Sequence, residues 1–122
     1  MRVVIVDADL RAGRKLAGAV EKLLPTVDAL LYDDADQAVS GIAEHAPDVV
    51  FVAAELPGTD GPGLVARARE TSADAKYVGI VDAADASWSQ RFIGAGAKLV
   101  VSRPVDTLAV QTALRHRAGG VP

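Results

Sequence analysis

The chain has 122 residues, half of them hydrophobic, and a formal net charge of −3, which fits one domain with a substantial core. The acidic balance disfavours a nucleic-acid surface, and the absence of cysteine excludes disulfides, thiol catalysis and cysteine-based metal sites. No apolar run reaches the roughly 20 residues of a membrane span and no signal peptide precedes the first strand pattern, so we expect a cytoplasmic location.

Short apolar runs alternate with helix-length amphipathic segments along the chain. Val3–Val6 is a continuous apolar run, typical of a strand buried on both faces. Asp9, Asp34 and Asp106 each stand where a helix N-cap is expected. Strands are predicted over 3–6, 27–32, 48–53, 76–81 and 98–101, with the second near an edge. The intervening helices are predicted to end near residues 24, 45, 70, 95 and 117.

Five successive βα units predict the fold class. This alternation indicates an α/β protein with a parallel sheet, right-handed crossovers and helices on both faces, hence a single doubly wound (βα)5 domain. In open sheets of this kind, ligands and chemistry gather at the carboxyl ends of the strands. The positions of interest are therefore 7–9, 53–55, 81–83 and 102–104.

Three stretches resemble the receiver domains of response regulators of the CheY type. The most specific is 47–61, PDVVFVAAELPGTDG, where receivers read proline, aspartate, an apolar strand, aspartate, two residues, Leu-Pro-Gly, any residue and Asp-Gly. Val4–Asp7 matches the first strand and first acid, and 94–104 matches Gly-Ala, a strand and Lys-Pro. The resemblance implies a flavodoxin-like or CheY-like five-stranded parallel sheet of order 2-1-3-4-5. It extends from Arg2 to about Arg117 and implies a pseudo-receiver domain over 1–118, with 119–122 as a tail or the start of a linker.

The positions that match the receiver's chemical residues depart from the family pattern. The phosphoacceptor aspartate matches Ala53, which cannot form an acyl phosphate. The acidic pair that holds a divalent cation matches Asp7 and Ala8, and one carboxylate is a poor ligand set for Mg²⁺. The phosphate-binding hydroxyl matches Val81, and the phosphate-pairing lysine matches Arg103, whose planar fork is not a lysine substitute. We therefore expect no catalytic residue, metal or cofactor and no enzymatic activity.

The remaining charged residues of the strand ends have competing interpretations. Asp7 and Arg103 should lie close together and, with no phosphate between them, form a direct salt bridge that locks one conformation. Asp7, Glu55 and Asp60 are also compatible with a carboxylate cluster for metal or acid–base work. We interpret Glu55 instead as a loop residue, Asp60 as the turn acid, and Asp9 as a helix cap.

The predicted working surface is the face formed by the fourth helix, fifth strand and fifth helix, which receivers use for dimers and partners. Its residues would be Trp88, Arg91, Val100 and Ser102, and Val100 stands where receivers carry an aromatic switch residue. Tryptophan and arginine are enriched in interface hot spots. Trp88 is equally compatible with partial burial against the sheet.

The leading hypothesis is a bacterial, phosphorylation-independent receiver that acts in signal transduction through protein–protein contact or homodimerisation. Its glycine-containing end could begin a linker to an output domain in a longer chain, and we expect no membrane or direct nucleic-acid contact. One alternative is a sensor whose Trp88 and Arg91 grip a cyclic dinucleotide such as cyclic di-GMP. Another is a conventional receiver inactivated by an engineered aspartate-to-alanine change at Ala53.

Overall fold

The computed structural model describes residues 1–82 and 86–115. Its strands are Arg2–Val6 (β1), Asp28–Tyr32 (β2), Val49–Ala53 (β3), Glu55–Leu56 (β4), Thr59–Asp60 (β5), Lys76–Asp82 (β6) and Leu99–Arg103 (β7). Its helices are Leu10–Leu23 (α1), Ala35–His45 (α2), Gly61–Arg69 (α3), Ala86–Ala95 (α4) and Thr107–Arg115 (α5). The predicted tail at 119–122 and the predicted last turn of the fifth helix lie outside the described residues.

The main sheet confirms the predicted topology. Its five strands are parallel in the order β2-β1-β3-β6-β7, and β2 lies at an edge as predicted. The turn-rich segment after β3 is not a simple loop, because β4 and β5 pair there as a short antiparallel hairpin. Gly58 in this hairpin has φ +84°, in the left-handed region that favours glycine.

Helices cover both faces of the sheet and divide the core into two layers. One buried cluster joins α2, α3 and α4 to the sheet, and the other joins α1 and α5 to it. Alternate residues of β1 enter different layers, with Val4 and Val6 in the first and Val3 and Ile5 in the second. This alternation explains why β1 is a continuous apolar run.

The helices begin where the aspartates predicted as N-caps stand. The Asp9 carboxylate accepts hydrogen bonds from the N–H groups of Arg11 and Ala12 at 3.0 and 3.2 Å. Asp34 and Asp106 cap α2 and α5 in the same way. Each cap satisfies backbone donors that the first turn of a helix leaves without partners.

The fourth and fifth strands of the main sheet extend further than their apolar runs. β6 reaches Asp82 and β7 reaches Arg103, one and two residues beyond the predicted ends. Parallel pairing of Val81 with Ser102 and of Asp82 with Arg103 continues the ladder beyond the predicted strand ends. The extension places the oppositely charged Asp82 and Arg103 side by side at the carboxyl edge of the sheet.

Lys76 and Tyr77 begin β6 and are both buried, at the end of the sheet opposite to its carboxyl edge. The Lys76 ammonium donates to the carbonyl oxygen of Ala113 in α5 at 2.9 Å. Burial lowers the pKa of Lys76 and raises the pKa of Tyr77 to about 12. The Tyr77 hydroxyl donates to the carbonyl oxygen of Ser72 at 2.8 Å.

Among residues 1–82 and 86–115, no helix is both long and apolar enough to cross a membrane.

Candidate functional site

A cleft of about 560 Å³ opens at the carboxyl ends of the strands, where the sequence predicted the site. The ends of β1, β3, β6 and β7 contribute to it, together with the first turn of α4. Its buried members are Asp7, Ala53, Ala54 and Ile80, and its more exposed members are Ala8, Asp9, Glu55, Asp82, Trp88 and Arg103. The cleft therefore combines buried apolar side chains with one buried carboxylate, that of Asp7, and with further charged groups nearer the solvent.

Asp7 and Arg103 form the predicted salt bridge. The Arg103 Nη2 atom donates to Asp7 Oδ2 at 2.8 Å, and the backbone N–H of Asp9 donates to Asp7 Oδ1 at 3.0 Å. Asp7 is 3% exposed, so its carboxylate is buried with both oxygens engaged. This arrangement offsets the cost of burying the charge.

Asp82 is a second partner of Arg103 that the sequence interpretation missed. The Arg103 Nε atom lies 3.1 Å from Asp82 Oδ1, so one guanidinium joins two carboxylates from different strands. A second cleft of about 870 Å³, between α1 and the β7–α5 connection, shares Asp7, Asp82 and Arg103 with the first. The ion-paired cluster thus separates the two clefts. The signal was present in the sequence, since Asp82 follows the last apolar residue of β6.

The positions that match the receiver's nucleophile and hydroxyl are apolar and buried. Ala53 and Val81 are 2% and 1% exposed, and Ala8 is exposed beside Asp7. None of these three side chains has a nucleophilic or metal-binding atom. In the part of the chain that the structure describes, no three His, Asp or Glu side chains are grouped to hold a metal ion.

Trp88 and Arg91 contact each other on α4 and connect the cleft with the start of α3. Trp88 is half-buried, packs against the core cluster of α2–α4 and lines the cleft. The Arg91 guanidinium carbon lies 4.4 Å from the centroid of the Trp88 ring, within cation–π range. Arg91 Nη2 also forms an ion pair with Asp60 Oδ2. Asp60 is the N-cap of α3, so Arg91 is directed towards α3.

Val100 and Ser102, the other two residues of the predicted working surface, lie on β7 at the edge of the main sheet. Val100 is half-buried and packs against the α2–α4 cluster, whereas Ser102 is exposed. Two large apolar side chains of the neighbouring helices are more exposed, namely Ile93 of α4 at 54% and Leu108 of α5 at 70%. The sequence analysis did not identify either side chain as exposed. Ile93 directly follows the buried Phe92, and consecutive residues of a helix point in different directions.

The sequence matches the family model described as the response regulator receiver domain over residues 3–115. The chain belongs to this family. The match includes residues from all five strands of the main sheet. The cleft of this receiver domain lies at the carboxyl ends of these strands, where the sequence predicted the site. No curated protein sequence matches the chain.

Solved structures show the same fold at low sequence identity. A putative response regulator from Chloroflexus aurantiacus is 20% identical with a TM-score of 0.87, and covers 93% of each chain. A CheY-like receiver from Methanospirillum hungatei is 18% identical with a TM-score of 0.84, and covers 93% of this chain and 90% of its own. A response regulator from Burkholderia pseudomallei is 17% identical with a TM-score of 0.83, and covers 93% of this chain and 65% of its own. The last was solved with a phosphorylated aspartic acid and a calcium ion.

Proposed function

We propose that this receiver domain acts in signalling through protein contact without being phosphorylated, and that it is not an enzyme. The observation that carries the proposal is Ala53 at the carboxyl end of β3, buried inside the cleft. A methyl side chain has no lone pair with which to attack a phosphoryl donor. Function must then reside on a surface of the domain.

The charges around Ala53 support the same proposal. Asp7 is the remaining acid of the receiver's metal pair, and Arg103 and the Asp9 N–H engage both of its oxygens. Mg²⁺ requires several oxygen ligands in near-octahedral geometry. A cation that entered the cleft would have to displace a guanidinium already bound to the buried carboxylate.

The proposed partner face comprises α4, β7 and α5, with Val100 and Ser102 on β7 and with a protein partner or a second copy as the occupant. Trp88 and Arg91 lie on the side of α4 that contacts the cleft and α3. The exposed Ile93 and Leu108 add aliphatic area on the two helices of this face. Apolar residues at the centre of a surface patch are typical of protein interfaces. Light scattering of the wild type and of Ile93→Ser and Leu108→Ser variants tests self-association, and loss of a dimer in these variants is expected if the occupant is a second copy.

A phosphorylation assay tests the central claim. The wild type, incubated with acetyl phosphate and Mg²⁺, should keep its intact mass, and beryllium fluoride with Mg²⁺ should leave its melting temperature unchanged. The wild type is compared with Ala53→Asp and with a variant that carries Ala8→Asp, Ala53→Asp, Val81→Thr and Arg103→Lys together. A wild-type phosphoryl adduct would refute the proposal.

The same two variants address the hypothesis of an engineered alanine. We expect Ala53→Asp alone to be phosphorylated at least about tenfold more slowly than the fourfold variant, because it lacks the second metal acid and the hydroxyl. Equal rates would instead indicate that only Ala53 separates this domain from a conventional receiver.

For the cyclic-dinucleotide alternative, a thermal shift with cyclic di-GMP that weakens in Arg91→Ala is the test. We do not favour it, because Arg91 is already engaged by Asp60 and Trp88.

A further inference from the structure

Helix α4 is positioned by contacts that need no phosphoryl group. We infer that Asp60, Arg91 and Trp88 form a clamp, here called the α4 clamp, that holds α4 in one position against α3 and the cleft. The inference rests on the proposed function, since a receiver that is not phosphorylated needs another means to fix the helix that carries part of its partner face.

Asp60 is held from two directions, which makes it a rigid anchor for the α4 clamp. Its Oδ1 atom accepts a hydrogen bond from the Gly63 N–H at 2.8 Å and so caps α3, while its Oδ2 atom pairs with Arg91. The carboxylate cannot rotate away from Arg91 without also losing the cap. The ion pair therefore joins α4 to a part of the molecule whose orientation is already set.

The middle of α4 packs against the N-terminal end of α3, next to Asp60. Phe92 is fully buried, and its ring lies so close to Gly61 and Gly79 that an added Cβ at either glycine would come within 3.0 Å of it. Gly61 is the first residue of α3, directly after Asp60. Phe92 determines how closely α4 approaches the sheet, and Arg91, the preceding residue, holds the side of α4 against the start of α3.

Trp88 extends the α4 clamp by one helical turn to the cleft. It lies three residues before Arg91, which places the two side chains next to each other on the helix surface. The arginine contacts the indole ring on α4, and the indole lines the cleft that contains Ala53. Contacts from Trp88 to Arg91 and from Arg91 to Asp60 thereby link the cleft to the position of α4 against α3.

Hydrogen exchange of the full chain, measured by mass spectrometry, tests the α4 clamp. Asp60→Asn removes the charge but keeps an oxygen that can cap α3, and Arg91→Gln removes the other partner. Asp36→Asn is the matched control, because it breaks another exposed aspartate–arginine pair between helices, the 3.0 Å pair with Arg67 of α3. We expect the amides of Gln90–Ala95 to exchange about three- to tenfold faster in both clamp variants and to be unchanged in the control.

The only tryptophan of the chain gives a second measurement. Acrylamide should quench Trp88 fluorescence more strongly in Asp60→Asn and Arg91→Gln than in the wild type or in Asp36→Asn. Wild-type exchange and quenching in both clamp variants would overturn the inference, and so would an equal effect of Asp36→Asn. Beryllium fluoride with Mg²⁺ forms a separate arm: slower α4 exchange in the wild type would refute the proposed function and leave the clamp variants to be judged on their own.

Discussion

Replacing Arg103 by glutamine should destabilise the domain more than the loss of an exposed ion pair does. Asp7 would remain buried and charged, with only the Asp9 N–H as a hydrogen-bond donor to its oxygens among the contacts described above. Removal of one partner from a fully buried pair costs about 3–5 kcal/mol. The Arg103 side chain is 29% exposed, so solvent screening reduces the expected loss to about 2–3 kcal/mol.

A double-mutant cycle separates the pair from its surroundings. Urea unfolding followed by far-UV circular dichroism gives the free energy of unfolding for Arg103→Gln, Asp7→Asn and the double variant. We expect the double variant to lose less than the sum of the two single variants, because it leaves no buried charge without a partner. Asp82→Asn is the control and should cost less than about 1 kcal/mol, since the Asp82 side chain is 80% exposed. Additive losses, or a cost below about 0.5 kcal/mol for Arg103→Gln, would refute the reasoning.

Three further predictions concern stability measured by urea unfolding. Burial raises the pKa of Tyr77 to about 12, whereas an unfolded tyrosine titrates near 10, so its stabilising contribution is fully present below about pH 10 and is lost as the pH rises towards 12. Tyr77→Phe should flatten this alkaline loss, and an equal loss in both proteins would contradict the argument. Gly79→Ala should cost about 1–3 kcal/mol, because the added methyl group would collide with the ring of Phe92. Gly94→Ala, whose added methyl group meets nothing within 4 Å, should show no such cost. Ala46→Gly should stabilise by about 0.5–1 kcal/mol, because Ala46 has φ +46° at the end of α2, and an unchanged unfolding midpoint would contradict this.

The fold could be predicted from the sequence because its signals are local and repeated. A continuous apolar run such as Val3–Val6 identifies a strand covered on both faces, and an aspartate before an amphipathic segment identifies a helix start. The ends of β6 and β7 were less accessible to prediction, since ladder pairing through Asp82 and Arg103 continues where hydrophobicity stops. Strand ends depend on the neighbouring strand as well as on the residue itself.

The cleft was predictable in position, and its contacts were predictable only in part. Asp7 and Arg103 could be paired in advance because both stand at the carboxyl edge of the sheet, where the receiver motif groups its charged residues around one site, although β3 and β6 lie between their strands. The contact between Arg91 and Asp60 could not, because it depends on how helices α3 and α4 approach each other around Phe92 and the glycines beneath it. That approach is set by the packing of side chains from three elements, which no periodicity encodes.

The bond between Lys76 and α5 restricts how that helix can move. The lysine is 2% exposed and its ammonium has been removed from water to meet the carbonyl oxygen of Ala113. A displacement of α5 that carries the Ala113 carbonyl away from Lys76 would leave this desolvated cation without its acceptor. A tilt or a rotation about the tethered turn would preserve the bond. The bond therefore favours tilting of α5 about its contact with Lys76 over displacement of its C-terminal turn from the sheet.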